Sequence, residues 1–160
     1  MVHKPMGRPL KVISGAQTGA DRAALEAAKA CGLETGGWMP QDFRAQDGNH
    51  PEFEKLYNIQ EHRDYRYNGR TRQNVEDSDG TIRFASKWSS PGEKLTLRYI
   101  KAFAKPHLDI DISKPPSPAV VVRWLEDNNI KTLNVAGNSE GTSPGIQSFV
   151  RDYLEFVFSQ

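Results

Sequence analysis

A short apolar run passes into a glycine-bearing turn and then into strong helix formers in Leu10-Lys11-Val12-Ile13-Ser14-Gly15-Ala16-Gln17-Thr18-Gly19-Ala20-Asp21-Arg22-Ala23-Ala24-Leu25-Glu26-Ala27-Ala28-Lys29-Ala30. This order predicts a buried strand, a tight turn and a helix. The end of the chain repeats it, because Thr132-Leu133-Asn134-Val135-Ala136 is a short strand-like run, residues 137–143 contain two glycines, and Pro144 precedes apolar residues at helical spacing. Two strand–turn–helix units therefore enclose the rest of the chain.

Between these units the pattern continues to alternate. Residues 81–85 and 107–112 are predicted strands, and residues 93–103 and 119–127 are predicted helices. Strands that alternate with helices indicate an α/β fold with layers of helices on a mostly parallel sheet. The 160 residues are close to the usual size of one domain, so we expect a single domain over residues 1–160.

Residues 41–70 do not follow this alternation. Their only branched aliphatic residues are Leu56 and Ile59, while arginines and tyrosines are frequent. The composition predicts no core strand here, and a loop of this length is either functional or mobile. Its aromatic and arginine content favours a lid insertion over a ligand rather than a disordered insert.

The overall charge and hydropathy exclude several classes of partner. Twenty-one Lys and Arg residues against 20 Asp and Glu residues leave a net charge of +1, too little basic excess for non-specific nucleic-acid binding. No apolar run approaches the roughly 20 residues that cross a bilayer, and the opening residues lack the apolar core of a secretory signal. We therefore expect a cytoplasmic protein with no membrane partner, in which Cys31 is structural.

Ligands of open α/β sheets bind at the carboxyl ends of the strands, where the turn 14–22 is expected. Gly15 and Gly19 let the backbone approach a ligand, and the N–H groups at the helix start favour phosphate or a similar anion. The turn matches neither the Walker A nor the dinucleotide-binding pattern. The alternative is an ordinary tight turn in which Asp21 caps the helix.

Three further segments are candidates by position. Gly36 lies in a glycine pair beside Trp38, where the backbone could approach a planar ligand, or the pair could be a bend with Trp38 in the core. Arg70 and Arg72 could clamp a phosphate, or lie on a solvated helical face. Ser86 and Ser89 offer hydroxyl groups before a helix start.

Catalytic and metal-binding constellations are scarce. The histidines, which have no metal-ligand spacing, are His3, His50, His62 and His107. Glu140 is the best-placed carboxylate, followed by Asp77 and Asp79, but their spacing gives no base–nucleophile pair. The residues favour a non-catalytic binding protein without a protein-ligated metal.

Five motifs together resemble the molybdenum cofactor carrier proteins, circularly permuted relatives of a Rossmann-like group labelled lysine decarboxylase. They are ISGAQTGADRAAL (13–25), GGWMP (36–40), RAQDG (44–48), RTRQNVEDSDGT (70–81) and LNVAG (133–137). The resemblance implies a Rossmann-like fold, a homotetramer, and binding of molybdenum cofactor (molybdopterin) that is protected or delivered to molybdoenzymes. The metal would arrive with its phosphorylated pterin.

The resemblance also implies a set of cofactor-binding residues. By position, these are Gly15, Gln17, Thr18, Gly19 and Arg22 in the first loop, Gly36, Arg72 and Asn74 in the central motifs, Ser86 and Ser89 in the next loop, and Gly137 and Ser139 in the last loop.

Two positions depart from the family pattern. Glu93 follows Gly92 where a Gly-Thr pair is common, and the last loop reads Gly137-Asn138-Ser139-Glu140-Gly141 where Gly-Pro-Arg-Glu-Ser is common. A carboxylate is gained and an arginine is lost, which favours a related ligand such as a nucleotide. The alternatives are thus a sensor of a nucleotide-derived ligand and a nucleoside-monophosphate phosphoribohydrolase-like enzyme.

Overall fold

The computed structural model describes residues 10–160; residues 1–9, which include His3 and the opening residues considered above, lie outside the described part. Six parallel strands form one sheet in the order β5-β2-β1-β8-β6-β7. They are β1 (Lys11–Ile13), β2 (Glu34–Met39), β5 (Ile59–Glu61), β6 (Gly80–Ala85), β7 (His107–Asp111) and β8 (Thr132–Gly137), and a separate antiparallel hairpin is formed by β3 (Arg44–Ala45) and β4 (Gly48–Asn49).

Helices cover both faces of this sheet. They are α1 (Ala20–Ala30), α2 (Phe53–Tyr57), α3 (Tyr67–Asp77), α4 (Pro91–Ala102), α5 (Pro118–Asp127) and α6 (Ile146–Phe158). Helices α1, α5 and α6 pack together on one face, and α3 packs with α4 on the other. The predicted Rossmann-like α/β fold with a parallel sheet in a single domain is confirmed.

The main apolar core lies under α1, α5 and α6. Val12, Ile82 and Phe84 point from the sheet into this core, where they meet the alanines of α1 and the apolar stripe of α6. Because alanine side chains are short, α1 packs closely against α6. Burying this apolar surface is the dominant stabilising contribution to the fold.

The opposite face of the sheet is unusually polar. Thr81 and Arg83 alternate with the core residues of β6 and are buried, and Asn134 of β8 donates from Nδ2 to Thr81 Oγ1 at 3.2 Å. Arg83 also donates to both carboxylate oxygens of Asp109, at 2.8 and 2.6 Å. Helices α3 and α4 therefore cover a polar layer rather than a second large apolar core.

Residues 41–70 differ from the loop that their composition indicates. They contain a 3₁₀ turn at Gln41–Phe43, the β3–β4 hairpin, α2 and β5. The segment contributes an edge strand rather than a core strand to the sheet, because β5 pairs in parallel with β2 at the end of the strand order, with Ile59 only 1% exposed. A three-residue edge strand is held by backbone hydrogen bonds to its neighbour and by one buried side chain. Its sequence therefore shows little hydrophobic alternation.

Two glycines allow the loops at the carboxyl edge to approach each other. Gly137 has φ +154°, and a Cβ there would overlap the Phe84 carbonyl oxygen. Gly19 has φ +87°, and a Cβ there would overlap the Asn138 carbonyl oxygen. Both positions therefore require glycine for the loops after β1, β6 and β8 to meet.

We expect Gly137→Ala to lower the free energy of unfolding by about 1–3 kcal/mol, because the Phe84 carbonyl would have to move and the backbone would be strained. Chemical denaturation of both proteins measures this. Gly141→Ala is the matched control, since Gly141 is exposed and a Cβ there meets no atom within 4 Å. Equal losses in the two variants would contradict the prediction.

Candidate binding site

A cavity of about 530 Å³ lies at the carboxyl edge of the sheet. The first loop contributes Gln17 and Thr18, and the loop after β8 contributes Gly137 and Ser139. The cavity is thus at the place where parallel α/β sheets bind their ligands.

Helices α3 and α4 and the segment before α3 close the remaining sides. Arg66, Tyr67 and Arg70 approach from the segment before α3 and from its first turn. Glu93 and Thr96 approach from the first half of α4. Basic, acidic and aromatic side chains thus surround one cavity.

Three backbone donors of the first loop are already used within the protein. Ala16 N donates to Ser14 Oγ at 3.2 Å, and Gly19 N donates to Gln147 Oε1 at 2.9 Å. Ala20 N donates to Asn138 O at 3.1 Å. The loop therefore differs from the expected open phosphate cradle and offers the cavity mainly its Gln17 and Thr18 side chains.

Arg22 is likewise held away from the cavity. Its Nη1 and Nη2 donate to the two carboxylate oxygens of Asp47 at 2.6 and 3.0 Å, and Nη2 also donates to Ala16 O at 3.1 Å. The Arg22 guanidinium, by its hydrogen bonds, holds the pKa of Asp47 well below its usual range. The bidentate pair ties the β3–β4 hairpin to α1.

Arg44 attaches the segment 41–70 to the first loop. Its guanidinium lies over the rings of Tyr65 and Tyr67, 4.4 and 4.2 Å from their centroids. Its carbonyl oxygen accepts from Gln17 Nε2 at 2.9 Å. Segment 41–70 is therefore packed against the cavity wall. Its frequent arginines and tyrosines are the sequence feature that indicated a segment lying over a ligand site.

Asp21 does not cap α1, which begins after Gly19. Its carboxylate is buried and accepts from Arg70 Nη1 at 3.3 Å. Burial raises the pKa of Asp21 to about 6, although the nearby Arg70 acts to lower it. The site thus holds an ion pair at its base.

Asn74 is hydrogen-bonded to the backbone of β2, and Gly36 is a residue of that strand. Asn74 Oδ1 accepts from Trp38 N at 2.9 Å, and Asn74 Nδ2 donates to Trp38 O at 3.1 Å. Gly36 lies within β2, and the half-buried Trp38 donates from Nε1 to Asp77 at 2.9 Å. The glycine pair is therefore part of a strand rather than a bend, and Trp38 lies outside the core.

Arg72, Ser86 and Ser89 are not among the residues that line the cavity. Arg72 is exposed, with its guanidinium 5.6 Å from the Phe103 ring centroid. Ser86 Oγ pairs with Ser143 Oγ at 2.7 Å, and Ser89 is exposed. Gly15 and Asn74 line a small adjoining recess, whereas Gly19, Arg22 and Gly36 line neither space.

The carboxylates that the sequence singled out make structural contacts. Glu140 accepts from Gly145 N at 2.6 Å and Gln147 N at 3.0 Å, which satisfies donors at the start of α6. Asp77 accepts from Trp38, as above, and Asp79 accepts from Lys131 N and Thr132 N at 2.9 and 2.8 Å. None of these three carboxylates lines the cavity.

Two carboxylates, those of Asp21 and Glu93, line the cavity, and Glu93 was not among the predicted site residues. It is 3% exposed, and its Oε2 accepts from Asn138 Nδ2 at 3.4 Å. Burial raises the pKa of Glu93 to about 7, and Asp21 raises it further while Arg83 acts to lower it. The two departures from the family pattern, at Glu93 and in the loop after Gly137, are therefore in contact.

Two features of the described residues concern metals and membranes. Within residues 10–160, no three His, Cys, Asp or Glu side chains lie close enough together to hold a metal ion. No helix in the same part of the chain is long and apolar enough to cross a membrane.

The raised pKa of Glu93 predicts how stability varies with pH. Its folded-state pKa of about 7 lies above the ordinary 4.5, so the folded protein binds more protons between these values and stability falls as the pH rises through that window. Glu93→Gln, which cannot titrate, should reduce this fall by about 2–3 kcal/mol. Denaturant unfolding from acidic to mildly alkaline pH measures it.

The control is Glu76→Gln on the exposed face of α3, which should leave the pH profile of stability unchanged. Asp21 keeps part of the fall in both variants, because its pKa is also raised. A Glu93→Gln profile that is parallel to the wild-type profile would show that Glu93 does not titrate in this window.

Comparison with known proteins agrees with the fold and places the chain in a family. A solved structure from Syntrophus aciditrophicus SB, named "Putative molybdenum carrier protein", is 37% identical, with a TM-score of 0.85 over 97% of this chain and 96% of that chain. No curated protein matches this chain. Residues 12–158 match the circularly permutated YpsA SLOG family. The chain therefore belongs to the circularly permutated YpsA SLOG family.

Proposed function

We propose that this protein binds molybdenum cofactor, a phosphorylated pterin, and carries or stores it without transforming it. The observation that carries the proposal is the cavity with mixed apolar and polar lining that is enclosed by the first loop, α4 and the segment before α3. The name of the Syntrophus aciditrophicus structure supports the choice of ligand. The cofactor is cargo in this proposal, and its metal is bound through the pterin.

The dimensions and lining of the cavity fit a flat heterocycle with polar edges. Its volume of about 530 Å³ lies within the roughly 300–1,000 Å³ of small-molecule sites. Pro91, Leu95 and Ala136 contribute apolar surface, while Gln17 and Glu93 contribute hydrogen-bonding groups. Apolar walls would hold the ring faces, and the polar side chains would orient the ring edge.

The terminal phosphate of the ligand would lie at the rim beside Arg66. The Arg66 side chain is 78% exposed and pairs with Asp64 at 3.2 Å, so its guanidinium is accessible from the cavity. Ser90 and Gly92 also line the cavity at the start of α4, but the Glu93 carboxylate lies in the same helix turn, so the phosphate is placed at the rim rather than at this helix start. Arg70 lies deeper and is held by Asp21.

Assembly and delivery form a further part of the proposal. The family resemblance is the basis for a cytoplasmic homotetramer that transfers the cofactor to molybdoenzymes. Sedimentation measurements with and without cofactor test the assembly. Reconstitution of an apo-molybdoenzyme from the loaded protein tests delivery.

Glu93 favours one second candidate, a phosphoribohydrolase-like activity on nucleoside monophosphates. A cavity carboxyl group with a pKa of about 7 has the proton affinity of a general acid or base at neutral pH. Release of a free base from adenosine monophosphate distinguishes this activity from carriage. Ligand-induced change in assembly without base release would instead favour a nucleotide sensor.

The first test is anaerobic titration with molybdenum cofactor, followed by gel filtration and metal analysis. We expect retention of about one molybdenum per chain, with adenosine monophosphate left intact in a parallel sample. Loss of molybdenum during filtration, or accumulation of free adenine, would contradict the proposed carrier.

The phosphate position predicts a second result. Arg66→Gln should weaken cofactor binding about 10-fold, because it removes a charge-assisted contact to the phosphate. Arg63→Gln is the matched control from the same segment, and Arg72→Ala is a second one, since neither residue lines the cavity. Equal weakening by Arg66→Gln and Arg63→Gln would place the phosphate elsewhere.

A further inference from the structure

Three buried side-chain atoms in residues 10–160 have no hydrogen-bond partner, and all three belong to residues that line the cavity. They are Gln17 Oε1, Arg70 Nε and Glu93 Oε1. Leaving such an atom unpaired costs about 1–3 kcal/mol, and native structures contain few of them. Their concentration at one cavity indicates that a ligand supplies the missing hydrogen bonds.

The orientation of each group is fixed by its other contacts. Gln17 Nε2 donates to the carbonyl oxygens of Gly15 and Arg44 at 3.3 and 2.9 Å, so the amide oxygen must be the free end. Arg70 Nη1 donates to Asp21, which leaves Nε without an acceptor.

Glu93 is held in the same way. Its carbonyl oxygen accepts from Arg83 Nη1 at 3.0 Å, and its Oε2 accepts from Asn138, so Oε1 is the free carboxylate oxygen. Arg83 Nη1 lies 3.9 Å from Oε1, beyond hydrogen-bond distance. The cavity thus offers two acceptors and one donor.

A matching ligand presents two donors and one acceptor. A 2-amino-4-oxopyrimidine ring has this combination on one edge, in its 2-amino group, its N3–H and its O4. A 2,4-dioxopyrimidine edge instead has two acceptors beside one N–H, and an adenine edge has one donor and one acceptor.

We propose that Gln17, Glu93 and Arg70 recognise the 2-amino-4-oxopyrimidine edge of the ligand, so that the cavity selects pterins over dioxopteridines. This recognition rests on the proposed function, because the pterin of molybdenum cofactor carries that edge. Glu93 is the main specificity-determining residue, since its free carboxylate oxygen accepts from an N–H group and repels a carbonyl oxygen at position 2.

The test compares two fluorescent probes, pterin and lumazine, which differ only in the amino or oxo group at position 2. Fluorescence titration is done at neutral pH, where both heterocycles are largely neutral and an N–H donor of the ligand favours the ionised form of Glu93. Wild-type protein should bind pterin at least about 10-fold more tightly than lumazine, because a site built to pair with an amino group rejects its replacement.

Glu93→Gln should abolish or invert this preference. The glutamine amide presents one acceptor and one donor, which match the N3–H and the position-2 oxygen of lumazine. Glu76→Gln is the matched exposed control and should keep the wild-type preference. Gln17→Met is the second cavity variant, which should reduce the preference for pterin, and circular dichroism checks the fold of each variant.

Each outcome bears on one proposal. Equal binding of pterin and lumazine by the wild-type protein, or an unchanged preference in both cavity variants, overturns the edge recognition even if molybdenum is retained. The wild-type protein could instead prefer pterin, lose that preference in Glu93→Gln, and still fail to retain molybdenum cofactor. This result would support the edge recognition and reject the carrier function.

Discussion

The carboxyl edge of the sheet depends on the hydrogen bonds of one buried residue, Asn138. Its backbone N donates to Phe84 O at 3.0 Å and its carbonyl oxygen accepts from Ala20 N, which joins β8 to β6 and α1. Its side-chain Oδ1 accepts from Ser86 N and Lys87 N, both at 3.0 Å, and its Nδ2 donates to Lys87 O and to Glu93. An amide can make all these bonds because it has both donors and an acceptor. Asn138 therefore holds the loops after β6 and β8 against α1 and α4, and these loops form one wall of the cavity.

The polar face of the sheet explains why the cavity holds buried carboxylates. Arg83 extends under α4 and pairs with Asp109, while its Nη1 also reaches Glu93. Burying Asp21 and Glu93 raises their pKa values, so each carboxylate costs stability in its charged form. An apolar layer here would stabilise the fold more. Binding sites commonly contain groups that lower the stability of the fold, because the ligand needs them.

The sequence patterns predicted most of the fold and only part of the site. Strand–turn–helix units are local, so the parallel sheet followed from them, whereas β5 depends on one buried isoleucine and a backbone ladder. Gln17 and Thr18 lie in the cavity as their loop predicts, but spacing could not show that Arg22 would be taken by Asp47. Arg70 and Arg72 are two residues apart on α3, so about 200° separates their side chains. One consequently faces the cavity, and the other lies over Phe103.

Glu93 and Asn138, which lie at the two departures from the family pattern, are hydrogen-bonded to each other, so the two departures alter the same part of the cavity wall. A carboxylate in the first turn of α4 interacts favourably with the helix dipole, and it occupies the position where an anionic ligand group would otherwise be stabilised. The loop after β8 has Ser139 at the position of the arginine in the family pattern, and the preceding residue, Asn138, donates from its amide to this carboxylate. The inner wall thus carries a carboxylate near the start of a helix, where an anion would otherwise be favoured. In the proposed binding mode, this wall accepts from N–H donors, and an anionic group of the same ligand lies outward at the basic rim beside Arg66.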